Sequence, residues 1–205
     1  MILSEITEKK IFSVILFSSA VVLFYFCYNT QAPYDTGDGL THYFISRYSW
    51  KHPGLFLDHW GKPFFTLLSS PFSQYGLIGM SVFQIICTLA TSYSCFRIAK
   101  KLQLEFGWLL PVFIFFSPIY FAVINSGLTE IFFGTVLMFS IWMIFEKNFI
   151  LAAVTASFLP FVRVEAYVTI PLIALILLNR RQFVALAFLP FGFLVYSLIG
   201  YFYFH

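Results

Sequence analysis

Residues 31–64 read QAPYDTGDGLTHYFISRYSWKHPGLFLDHWGKPF, the only long polar stretch in the chain. Apolar runs flank it, each of the order of the 20 residues that a helix needs to cross a hydrocarbon core about 30 Å thick. The stretch therefore reads as a loop joining two membrane spans. It is not a plain solvated loop, because Trp50, Phe56, Leu57, Trp60 and Phe64 alternate with charged residues. That pattern suits helices lying in the membrane interface, aromatics dipped and charges raised. Residues Leu40–Lys51 allow one such helix, with Asp38 as its cap.

Working outward, the composition agrees. Of 205 residues, 60% are hydrophobic and 10% charged, with a mean hydropathy of +0.86. A soluble domain carries about 25% charged residues, so this chain has too few to cover a globule in water. Its expected fold is all-α: a polytopic transmembrane helix bundle of about seven spans, with interfacial helices in the first outer loop. The whole chain, 1–205, reads as a single transmembrane module, with that loop at about 31–63. The spans run roughly Ile11–Thr30, Leu77–Phe96, Phe106–Ile124, Ile131–Phe145, two short segments either side of Arg163 and Glu165, and Phe183–Phe204. The first run lacks a small-residue cleavage site and reads as a span, not a removable signal. Cys27, Cys87 and Cys95 all fall in apolar segments and form no disulfide or metal-binding pattern. The net charge of +3 is scattered between apolar runs, which gives no nucleic-acid surface.

Basic residues set the orientation. With the amino terminus cytoplasmic, the cytoplasmic ends hold Lys9, Lys10, Arg97, Lys100, Lys101, Lys147, Arg180 and Arg181, and the other side holds Arg47, Lys51, Lys62 and Arg163, which accounts for all 12 Lys and Arg. The carboxyl terminus and the polar loop are then non-cytoplasmic, in the plasma (inner) membrane if the source is bacterial. Asn148–Val162 is too short to cross, at about 22 Å as helix. Arg163 and Glu165 are thus expected below the outer surface, where a charge needs a partner or a wet cavity.

The candidate site residues lie at this outer end. Asp38 and His42 share a helix face at four-residue spacing, and Asp35 precedes them. A carboxylate held just above lipid can act as a general base, although either aspartate could merely cap the loop. His52, Asp58 and His59 could ligate a metal, at a nonspecific spacing. Lys62 could contact a phosphate or snorkel. Glu130 could cap its helix or join the site. Arg163 could hold a phosphate bidentately or pair with Glu165.

Four motifs extend this reading: GDGLTHY at 37–43, HWGKPFFTLLSSPF at 59–72, SGLTE at 126–130 and PFVRVEA at 160–166. In this order the chain resembles the GT-C superfamily of membrane glycosyltransferases, the relatives of protein mannosyltransferases and aminoarabinose transferases. The resemblance implies transfer of a sugar from a polyprenyl-phosphate carrier to an acceptor glycan, lipid or protein on the non-cytoplasmic side, usually with inversion. It implies Asp38, then Asp35, as catalytic residues, with His42, His59, Lys62, Glu130, Arg163 and Glu165 around the substrate. Some such enzymes use a divalent metal and others do not. Members usually continue beyond a seven-helix core, so the resemblance also implies a minimal core or the N-terminal core of a longer protein. A transporter or flippase, or a membrane assembly protein, is the alternative expectation. A transporter would place charges near the middle of its spans, whereas a bare assembly protein would not need the loop carboxylates.

Overall fold

A computed structural model describes residues 5–30 and 33–204, and among them there is helix and turn but no strand. The helices are α1 (Glu5–Thr30), α2 (Asp38–Tyr48), α3 (Pro63–Ser73), α4 (Gly76–Lys101), α5 (Leu110–Phe115), α6 (Pro118–Ile124), α7 (Glu130–Phe145), α8 (Phe149–Ala156), α9 (Ala166–Asn179), α10 (Phe183–Ala187) and α11 (Phe191–Phe204). Short 3-10 turns cover Pro53–Leu57, Gly107–Leu109 and Leu159–Phe161.

Among the described residues, three helices are long and apolar enough to cross a membrane: Ile6–Thr30, Gly76–Lys101 and the run Phe183–Phe204. A fourth crossing requires the pair Gly107–Phe115 and Pro118–Ile124 to count as one span, and the pair is bent by 65°. The expected count of about seven spans is therefore not supported: helix length and composition give three, or up to four, among the described residues. The cause is partly proline. Pro118 opens a new helix after Phe116 and Ser117, because its ring blocks the hydrogen bond that would continue α5. Pro160 likewise falls in the 3-10 turn that follows α8. The remaining apolar helices, Glu130–Phe145, Phe149–Phe161 and Ala166–Asn179, have 10–17 residues, and at 1.5 Å per residue even the longest reaches only about 24 Å.

α4 is the central post. It packs against α1, α3, α5 and α7, and 56% of its apolar window is buried, against 22% for α1 and 11% for Phe183–Phe204. The outer helices instead present Phe17, Tyr25, Phe193 and Phe202 outward, as lipid contact favours. Phe83 on α4 lies 5.7 Å from the ring of Phe65, 5.4 Å from Phe72 and 5.6 Å from Phe132. Hydroxyl pairs tie the helices together, Thr91 to Thr135 at 2.9 Å and Ser140 to Thr155 at 2.8 Å. Such bonds help helices associate where burial from water gives no drive.

The polar loop, expected to carry interfacial helices, holds α2, and a second short helix, α3, begins where the loop ends. α2 ends at Tyr48, short of Lys51, and α3 begins at Pro63, a residue preset for the first helical turn. α3 was not expected; the sequence reading passed from the polar loop straight to a span. The two helices pack together, with the hydroxyls of Ser46 and Ser69 at 2.8 Å.

Ion pairs mark one end of the bundle. Lys100 at the end of α4 pairs with Glu8 near the start of α1. Arg97 and Lys101 pair with Glu146, just after α7, at 2.6 and 2.8 Å. At the other end lie the start of α2, the approach to α3, the α6–α7 loop and the α8–α9 turn, and these four segments build the site.

Candidate functional site

The sharp turn into α2 comes first. The Gly39 amide donates to Asp35 Oδ2 at 2.5 Å, so Asp35, not Asp38, satisfies an open amide of the first helical turn. The expected cap at Asp38 is corrected: Gly37 stands at the cap position and makes no side-chain cap bond, and Asp38 is the first helical residue, exposed. Asp35 is accordingly committed to the backbone and does not line the cavity described below.

The second segment is the α6–α7 loop. The Tyr34 amide donates to the Asn125 carbonyl at 2.8 Å. Gly127 lies against α2 so closely that a Cβ there would collide with the Gly39 carbonyl oxygen. Behind the loop, the fully buried Gln84 of α4 donates from Nε2 to the carbonyls of Leu128 at 2.6 Å and Ser126 at 3.3 Å. Ser81, one turn earlier, donates to Asn125 Oδ1 at 2.9 Å. Thus a polar row on a membrane-spanning helix braces the loop that carries α2.

The third segment is Trp60–Lys62. The Gly61 amide donates to Asp58 Oδ1 at 3.0 Å, and Thr66 donates to the Gly61 carbonyl at 2.7 Å. Lys62 takes a left-handed backbone conformation, φ 60°, at the cap of α3, which turns the chain sharply into that helix. Asp58 is thereby occupied in the turn. Among the described residues, no group of three His, Cys, Asp or Glu side chains is arranged to hold a metal ion; His52, Asp58 and His59 do not form one. His59 is exposed and lies outside the cavity lining, contrary to expectation.

The fourth segment is the α8–α9 turn. Arg163 donates from Nε to Glu165 Oε2 at 3.0 Å and from Nη2 to Oε1 at 2.7 Å, a two-pronged pair. Its Nη1 lies 2.5 Å from Glu130 Oε1 and donates to Thr129 Oγ1 at 3.4 Å. Hydrogen bonding to Glu165 is the main reason the guanidinium is held charged even more firmly than usual, with Glu130 adding to it. Arg163 in turn pulls the Glu165 carboxyl below its ordinary range. Glu130 stands in the first turn of α7, where its charge suits the helix dipole. It reaches the site through Arg163 and does not line the cavity.

Together these segments enclose a cavity of about 160 Å³, lined by Asp38, His42, Trp60, Lys62, Thr129, Arg163, Val164 and Glu165. Five of the eight expected site residues line it, drawn from three separate segments. Asp38 and His42 do share a face, as the four-residue spacing predicts. His42 is 6% exposed, its ring 5.9 Å from that of Phe65. Its Nδ1 is buried without a hydrogen-bond partner. Burial pushes the His42 imidazole below its ordinary pKa, against the pull of the Asp38 charge, so the ring favours the neutral form. The site then sets two cations, Lys62 and Arg163, against three carboxylates, those of Asp38, Glu130 and Glu165.

Sequence reasoning missed Trp60, Thr129 and Val164 as lining residues, and Gln84 and Gly127 as supports. Gln84 carried a signal, being an amide within an apolar span, where polar groups are costly. Gly127 carried none, since only the approach of α2 makes a side chain there impossible. No protein-family model, curated protein or solved structure matches the chain.

Proposed function

We propose that the chain is a membrane glycosyltransferase, or the core of one, that takes a sugar from a polyprenyl-phosphate carrier at the Asp38 cavity. One observation carries the reading: Asp38, His42, Lys62, Arg163 and Glu165 come from three segments to one cavity, while Asp35 meets the helix amide and leaves the Asp38 carboxylate available. Its volume of about 160 Å³ lies below the range of about 300–1,000 Å³ usual for small-molecule sites. A cavity of that size takes the phosphate and part of the sugar, and the lipid tail has to remain in the bilayer.

In this reading the acceptor hydroxyl loses its proton to the Asp38 carboxylate. Its oxygen attacks the anomeric carbon from the face opposite the phosphate. The carbon–oxygen bond to phosphate breaks with its electron pair going to the leaving oxygen, which inverts the anomeric centre and frees polyprenyl phosphate. No acid need protonate that oxygen, because Lys62 and Arg163 offset its charge; glycoside hydrolysis differs in usually requiring a second carboxyl for this. Positioning and water exclusion account for the rest. No step is assigned to a metal, since among the described residues no group of three His, Cys, Asp or Glu side chains forms a ligand cluster. The site faces the non-cytoplasmic side and the amino terminus is cytoplasmic, as the basic residues favour.

The test supplies purified protein with a panel of polyprenyl-phosphate sugars and follows both donor binding and release of polyprenyl phosphate. Asp38→Asn keeps the shape but cannot take the proton. Turnover should fall by about 100-fold or more, with donor binding nearly unchanged. Absence of binding and turnover with every donor, or near-normal turnover in a folded Asp38→Asn enzyme, would refute the mechanism. The bent pair Gly107–Ile124 does not favour transport, because no charged residue lies between those positions.

A further inference from the structure

Trp60 lines the Asp38 cavity beside Thr129 and Glu165, yet it is 60% exposed. The other three tryptophans use their rings within the fold. Trp50 meets Phe56 edge-on, Trp108 packs with Phe106, and Trp142 meets Tyr93 and Phe139 and donates to Glu146. Among the described residues, no aromatic ring or cation stacks on Trp60. The backbone that carries it is nevertheless fixed. Gly61 is bonded to Asp58 through its amide and to Thr66 through its carbonyl. It also lies so close to α2 that a Cβ there would fall 2.5 Å from Ile45. The indole is therefore presented from a rigid turn held against the helix that carries Asp38.

We propose that Trp60 is the platform for the acceptor and that the acceptor is a glycan, one of its pyranose rings stacking on the indole; this rests on the transferase reading above. One face of a pyranose is a patch of C–H groups, apolar and slightly positive, and its rim carries hydroxyls. The indole face is apolar and electron-rich, so the two faces match. The rim hydroxyls have Asp38, Thr129 and Glu165 as partners in the same lining. A serine or threonine side chain has no flat face for the indole to cover. An ammonium also suits an indole face, but Lys62 and Arg163 line this cavity and repel it. Because the phosphate and part of the donor sugar fill the cavity, the acceptor has to lie on its open side, where Trp60 is exposed. Anchoring in the membrane interface is the other use of an exposed tryptophan. Trp50 is 62% exposed but outside the lining, so it separates the two roles.

The first measurement needs no donor. The full chain in lipid nanodiscs is mixed with methyl glucoside, methyl mannoside, methyl galactoside, a serine tripeptide or ethanolamine, and saturation transfer from protein to each is read by NMR. At least one pyranoside should receive transfer, and the tripeptide and ethanolamine should not. Trp60→Leu stays apolar and suited to the interface, and should lower the transfer by about fivefold or more. Trp60→Phe should keep about half or more, since a stacking face remains, and Trp50→Leu should leave it unchanged. No pyranoside binding overturns the proposal, as does transfer unaltered in Trp60→Leu or an equal loss in Trp50→Leu. Stronger transfer to the tripeptide or to ethanolamine also overturns it. The donor assay is then run with the pyranoside that binds. In Trp60→Leu the acceptor KM should rise by about fivefold or more while donor affinity is unchanged; an unaltered KM overturns the proposal. Donor turnover without pyranoside binding overturns this proposal alone. Pyranoside binding without turnover of any donor refutes the transferase reading, and the acceptor role falls with it.

Discussion

Asp35 and Asp38 stand three positions apart, yet only one carboxylate reaches the cavity. The division follows from the turn: Gly37 brings the chain round so that Asp35 meets the Gly39 amide, which leaves Asp38 exposed on the first turn of α2. Arg163 is the other residue whose role depends on its partners. Glu165 grips both prongs of its guanidinium, and Glu130 takes a third position. Glu165 has a half-exposed side chain, and exposed pairs of this kind contribute about 0–1 kcal/mol. A phosphate, equally able to take a bidentate fork, can therefore displace it. Glu165→Gln should then tighten donor binding by about threefold to tenfold, whereas Arg163→Ala should weaken it. Donor titration of both variants checks this. Weaker binding in a folded Glu165→Gln protein would mean that Glu165 orients Arg163 and does not compete with substrate.

At the scale of elements, the site depends on one close approach. α2 can rest on the α6–α7 loop only because Gly39 and Gly127 have no side chains. Gly127→Ala would drive a methyl into the Gly39 carbonyl oxygen. Overpacking of this kind costs about 1–3 kcal/mol, and here the strain falls between Asp38 on one side and Thr129 and Glu130 on the other. A lower melting temperature, together with a larger loss of turnover than the stability change explains, is the expected result of thermal unfolding and donor assays on this variant. Gly134, where an added Cβ meets nothing within 4 Å, supplies the control: Gly134→Ala, inside α7, should leave turnover unchanged and leave the melting temperature equal or higher, as alanine favours helix over glycine. Unaltered activity in Gly127→Ala would show that α2 need not sit against the loop.

At the scale of the molecule, the polar cavity and the basic cluster occupy opposite ends of α4, whose 26 residues span about 39 Å as helix. The two ends should therefore lie on opposite sides of the membrane. With the three native cysteines replaced by serine, Lys51→Cys should react with an impermeant thiol reagent added to intact cells. Arg180→Cys should react only after permeabilisation. Labelling of both from one side would overturn the proposed topology.

The sequence by itself determined the solvent and the class. A chain with 10% charged residues and long apolar runs has to fold as helices in lipid, since helices satisfy their own backbone groups there. It also marked the polar loop and the charges around Arg163 as belonging to one end, because ionisable groups gather where spans emerge. What the sequence left open was settled by contacts between distant segments. The short segments either side of Arg163 were legible in the sequence, but apolar composition did not reveal that the run Gly107–Ile124 bends by 65° or that α7 has only 16 residues. Nor can it reveal α3, which is as apolar as a span but stops after 11 residues. The separate roles of Asp35 and Asp38 required the turn geometry. The exclusion of His59 and the capture of Arg163 by Glu130, 33 positions earlier, required the packed bundle. Side-chain chemistry is written in the chain residue by residue, but a site is a set of distances, and only tertiary packing sets those.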